Sequence, residues 1–126
     1  MDALLWIVAW VLAVAFAGAG AMKLVVPRER LEQRRAGAWA RDFTPWQVRL
    51  IGLVEVAGAV GLVVPPLVDV AAWLVPLAAA GLALDMLGAY STHLRRNDPT
   101  PIRVPSIALG VLAIVVAVGR YWIAPF

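Results

Sequence analysis

A chain of 126 residues, 63% apolar and only 15% charged, has the length of one domain but not the composition of a soluble one, where roughly a quarter of residues are charged. It contains no cysteine, which excludes disulfide exchange, thiolate catalysis and cysteine-based metal sites. The net charge of +3 would suit nucleic acid as a partner, but the arginines gather beside apolar runs, the pattern of membrane orientation and not of a phosphate-tracking surface.

Four apolar stretches approach or exceed the ~20 residues that cross a bilayer's hydrocarbon. They cover about 3–26, 45–64, 70–90 and 102–123. Without the ~10-residue alternation of a barrel, they read as helices. The expectation is a single all-α membrane domain over 1–126, a four-helix bundle. The first stretch, MDALLWIVAWVLAVAFAGAGAMKL, lacks a positive start and is too long for a signal peptide, so it reads as a retained helix. The second opens on TPWQ, in which Thr44 is the N-cap, Pro45 occupies N1 and Gln47 at N3 completes a capping box. Pro65 and Pro66 are expected to stop that helix, Asp69 to cap the third, and Pro76 to bend the third by removing a hydrogen bond to Ala72.

The basic connections 27–44 and 91–103 fall on one side of a four-span chain. With their margins they carry nine arginines, against Arg120 alone on the other side, so these loops are expected in the cytoplasm and both termini outside. That implies a multi-pass protein of the inner, or plasma, membrane. Trp6, Trp10, Trp46, Trp73, Tyr90, Tyr121 and Trp122 cluster toward span ends, as interfacial aromatics do. Within 27–44, Leu31, Trp39 and Phe43 are spaced for a short amphipathic helix on the inner leaflet, although Gly37 weakens it; a solvated charged loop is the alternative.

Ionisable side chains inside a span are costly and usually face a bundle interior. Lys23 lies roughly 5–6 Å inside the cytoplasmic end, Asp85 roughly 8–12 Å and Glu55 roughly 15 Å, at 1.5 Å per residue. Three helices thus place their interior charges in the cytoplasmic half of the membrane or at its midplane, with His93 just above. Asp85 shares a stripe with Ala78, Gly81 and Gly88, Glu55 with Gly52, Gly58 and Ala59, and Lys23 with Ala19 and Gly20; small residues mark contact faces. Fully ionised, the trio sums to −1. For Lys23 the alternative is snorkelling to the headgroups; for Glu55 and Asp85, a structural polar clamp; for His93, a loop residue facing water. One histidine builds no histidine-based metal site.

The segments ending in MKL, LIGLVEVAGAVGLVVP and LDMLGAYSTHLRR resemble the DoxX-like membrane proteins along essentially the whole chain. The resemblance implies a four-helix membrane bundle and maps the family's first-helix lysine onto Lys23, its second-helix acid onto Glu55 and its third-helix terminal histidine onto His93, with Asp85 less general. Relatives include a subunit associated with thiosulfate:quinone oxidation and components of oxidative-stress complexes; no universal cofactor comes with the resemblance. The expected role is an accessory subunit that packs on a membrane partner or on its own copies, or a binder of an apolar small molecule through Lys23, Glu55, Asp85 and His93. The alternative is an intramembrane enzyme with Glu55 and Asp85 as acid and base on a quinone or isoprenoid. A transporter is disfavoured because the outer half supplies almost no polar residues.

Overall fold

The computed structural model describes residues 1–126 and contains four long helices. α1 spans Asp2–Val25, α3 Pro45–Leu67, α4 Leu74–Arg95 and α5 Thr100–Val118; α2 is a single turn, Arg28–Leu31, and a 3₁₀ segment covers Arg35–Asp42. Gly119–Ile123 extends α5 as a π turn, so the four apolar helices have 24, 23, 22 and 24 residues, each long enough to cross a bilayer. α1 ends where Val26 turns extended before Pro27, the conformation a following proline imposes. The capping box of α3 forms as the sequence reads: Thr44 Oγ1 accepts from Gln47 N–H at 3.2 Å, and Gln47 Oε1 accepts from Thr44 N–H at 2.9 Å.

Two proline expectations fail. Proline lacks a donor, yet its φ is helical, so Pro65 and Pro66 remain in the last turns of α3, which runs on to Leu67. Reversal comes instead from Asp69 and Ala71, at φ 54° and 52°. Asp69 therefore does not cap α4; the helix starts at Leu74 after Trp73, with no side-chain cap. That late start puts Pro76 in the first turn of α4, where an N–H would have no helical acceptor, so it removes no bond from the helix interior. At the other end of α4, Asn97 takes the left-handed conformation, φ 55°, a role asparagine tolerates well.

The helices form a ring in which α1 packs on α3, α3 on α4, α4 on α5 and α5 on α1. Their shared core is apolar, with Leu12, Phe16, Leu62, Leu82 and Val116 essentially inaccessible. Outward, large apolar side chains such as Val14, Leu53, Leu84 and Val111 stay exposed on every long helix. In water this surface would be untenable; in lipid it is the solvent-facing side.

Connection 27–44 is not one continuous helix, although Leu31, Trp39 and Phe43 do share an apolar face. It folds back on the bundle: Leu31, Ala40 and Val48 form a small second core with Val26, Trp39 and Phe43 against it. Arg28 Nη1 donates to Phe43 O at 2.7 Å and ties the ends of the segment together. Gly37, read as a weakness, is a requirement, because a Cβ there would lie 2.0 Å from Leu31 O.

Candidate polar site between the helices

The site starts from a close crossing. Gly20 on α1 and Gly52 on α3 face each other so closely that a Cβ on either would sit 2.7 Å from the other's carbonyl oxygen. Small residues of this kind let membrane helices approach. Lys23 lies one turn after Gly20, and Glu55 one turn after Gly52. Because the two helices run in opposite directions, those turns diverge from the crossing along the bundle axis. The lysine stem spans the gap. Helical side chains lean toward their own N-terminus, and Lys23 does so, its Nζ donating to Ala19 O at 3.5 Å. This carries Nζ away from the headgroups and to 2.6 Å from Glu55 Oε1. The geometry is that of a pair and not of snorkelling. Glu55 is only 2% exposed, and Lys23 Nζ also lies 5.6 Å from the centre of the Trp39 ring.

Asp85 brings α4 to the same place, in interaction range of both Glu55 and Lys23. One of its carboxyl oxygens is buried with no hydrogen-bond partner. The expected packed stripe around Asp85 does not form: Ala78 meets α3 at Gly61, but a Cβ on Gly81 or Gly88 would touch nothing within 4 Å. α4 leans on α3 through Ala78 and Leu82, leaving Asp85 and Gly88 to face open space.

That space is a cavity of about 490 Å³ whose wall includes Lys23, Glu55, Asp85 and His93. It falls within the roughly 300–1,000 Å³ of small-molecule sites. Phe16, Trp39, Phe43 and Leu109 supply much of the apolar surface, and α5 adds Pro105 and Ser106. The Ser106 hydroxyl is committed to Arg103 O at 2.7 Å.

His93 is not a water-facing loop residue. It sits in the last turn of α4, its side chain 12% exposed, with Nδ1 2.7 Å from Asp98 Oδ2. Asp98 lies 3.5 Å from Arg96 Nε, and Arg96 Nη1 lies 2.8 Å from Asp42 of the 3₁₀ segment. A polar chain thus runs from the folded connection to the cavity wall, and Nδ1's engagement leaves Nε2 as the free ring nitrogen. The left-handed turn at Asn97 swings Asp98 back to His93, which helical periodicity alone does not reveal.

Sequence reasoning also missed the charged clamp at the opposite end, where the buried Arg120 guanidinium bonds the Asp2 carboxylate. The signal was present: the starts of the first span and the end of the last must share that end, and these are the charges they carry.

No curated protein and no solved structure matches the chain. The DoxX-like family model does, over residues 7–118, a stretch that takes in most of α1, all of α3, α4 and α5, and every residue of the cavity. With that match and a four-helix apolar bundle behind it, the chain belongs to the DoxX-like family of membrane proteins.

Proposed function

We propose that this DoxX-like protein is a non-catalytic membrane component that holds an apolar small molecule in the cavity between α1, α3, α4 and α5. The observation that carries the reading is the confluence of Lys23, Glu55 and Asp85 on a wall otherwise rich in aromatic and aliphatic groups. A buried ion pair is weak evidence for stability as such, since an apolar replacement is often as good. An unpartnered carboxyl oxygen beside it is a position a ligand hydroxyl or amine satisfies. Accessory packing on a membrane partner, or on a second copy, is compatible with this role, and the same site would then report its occupancy.

A second reading is favoured by one feature, the neighbouring carboxyls of Glu55 and Asp85. Such a pair can give a proton at one oxygen and take one at the other, as acid/base work on a quinone or isoprenoid requires.

The test is purification in a mild detergent followed by mass spectrometry of co-purifying small molecules, for the wild type, Glu55→Gln, Asp85→Asn and the exposed control Arg30→Gln. Binding predicts a stoichiometric species lost from the two acid variants and kept by the control. Equal content in all four preparations removes the reading. The enzyme alternative instead predicts that Asp85→Asn retains a compound which the wild type converts.

A further inference from the structure

The end of the bundle that carries both termini holds a second cavity of about 700 Å³. Trp73, Leu77 and Ala80 wall it from the start of α4, and Arg120, Trp122 and Phe126 from the end of α5 and the residues after it. Trp73, Leu77 and Trp122 are more than half exposed, so the rim is continuous with the lipid-facing surface. The wall spans seven residues of α4, about 10 Å at 1.5 Å per residue.

Arg120 is the polar exception, and it is 3% exposed. Its Nη1 donates to Asp2 Oδ1 and, at 3.0 Å, to Ala124 O; Nη2 donates to Asp2 O at 3.4 Å. The Nε–H is buried without an acceptor. The guanidinium carbon lies 3.9 Å from the centre of the Phe126 ring and 5.7 Å from that of Trp6. A π turn, in which Ala124 N–H donates to Gly119 O at 2.7 Å, closes the C-terminal end of the helix here.

Charge and shape together define the occupant. Asp2 already neutralises Arg120, so a phosphate or carboxylate would add an uncompensated anion to a buried place. What the free Nε–H lacks is a neutral acceptor. The surrounding cavity is apolar, meets hydrocarbon at its rim, and lies among tryptophan and tyrosine rings of the kind found at headgroup level. We propose that this cavity seats one acyl chain of a membrane glycerolipid, its ester carbonyl accepting from Arg120 Nε as the half-exposed Phe126 ring gives way. The site is separate from the Lys23–Glu55 cavity, and either assignment can fail without the other.

The experiment is native mass spectrometry of the full chain from a maltoside detergent, after washing and add-back of either a phosphatidylglycerol or a free fatty acid of the same chain length. The wild type is expected to retain one glycerolipid. Ala80→Phe fills the cavity without touching the clamp and should lose it by about tenfold or more, while Val60→Phe, on the exposed face of α3, should not. Arg120→Lys keeps the charge facing Asp2 but removes Nε–H, and retention should fall about tenfold or more, the ratio one hydrogen bond from a charged donor supports. Helical circular dichroism monitors folding of each variant. Equal retention by wild type and Ala80→Phe overturns the site. Retention of the fatty acid in preference to the ester lipid, or undiminished retention by Arg120→Lys, overturns the carbonyl assignment.

Discussion

Gly20 and Gly52 touch backbone to backbone, and a methyl group on either would fall 2.7 Å from the other's carbonyl oxygen. The carbonyl oxygens cannot yield without moving whole helices. Gly52→Ala is therefore expected to destabilise the bundle by about 1–3 kcal/mol, the usual cost of overpacking. Gly81→Ala is the matched contrast: nothing lies within 4 Å of its Cβ, so removing a helical glycine should be neutral or stabilising by up to ~1 kcal/mol. Thermal unfolding in detergent, followed by circular dichroism, measures both, and similar shifts for the two would contradict the close crossing.

The Lys23–Glu55 pair should respond asymmetrically to the loss of either partner. Glu55 is sealed in at 2% exposure. Lys23 stands within a turn of the helix end at Val25 and can swing its stem to the headgroups if released. Lys23→Met strands a buried carboxylate and is expected to cost about 3–5 kcal/mol. Glu55→Gln should cost less, since its former partner has somewhere to go. The double variant Lys23→Met/Glu55→Leu should recover most of the loss. A stability series in denaturant reads this out, and equal single-mutant costs would sink the argument.

What the chain discloses before folding follows from which interactions are local. The capping box at Thr44 and Gln47 is written within four residues, and the apolar runs within twenty. The convergence of Lys23 and Glu55 needed only span direction and depth, because a lone charge in hydrocarbon has few options. Other features depend on contacts distant in sequence. Trp39 and Phe43 become cavity walls only because Gly37 lets the 3₁₀ segment pass over Leu31. Arg96 meets Asp42 across 54 positions. The proline errors have a different origin: treating proline as a stop ignores that its φ suits a helix and that its missing donor costs nothing in a first turn, while the two bonds lost at Pro65 and Pro66 fall at the very end of α3.

Membrane orientation has a direct check, because the chain has no cysteine of its own. Single cysteines at Gln33, in the basic connection, and at Pro125, near the C-terminus, give two reporters. With the arginine-rich connections cytoplasmic, a membrane-impermeant maleimide added to intact cells should label Pro125→Cys and leave Gln33→Cys untouched until the membrane is permeabilised. The reverse pattern would invert the assignment of sides.

The turn between α3 and α4 stores backbone strain at Ala71, a residue with a Cβ held at φ 52°. The left-handed conformation costs an L-residue roughly 1–2 kcal/mol, and glycine nothing. Part of that gain is returned through the greater freedom of glycine in the unfolded chain. Ala71→Gly is thus expected to stabilise the protein by about 0.5–1 kcal/mol, with a raised midpoint of thermal unfolding. A fall in the midpoint would mean that the turn draws on the alanine methyl for packing.

Gly37 offers a way to separate the cover of the cavity from the bundle beneath it. A Cβ there would meet Leu31 O at 2.0 Å and Leu31 C at 2.9 Å. These atoms belong to α2, so the 3₁₀ segment has to lift or α2 has to unwind. Either movement withdraws Trp39 and Phe43 from the cavity wall and pulls Asp42 from Arg96, while the long helices keep their own contacts. Gly37→Ala should therefore leave helical circular dichroism almost unchanged but speed proteolysis within 28–43, where exposed arginines become available to trypsin. It should also release whatever the inner cavity holds, measured as the loss of co-purifying small molecules. If cleavage and small-molecule content both match the wild type, the folded connection does not cover the site.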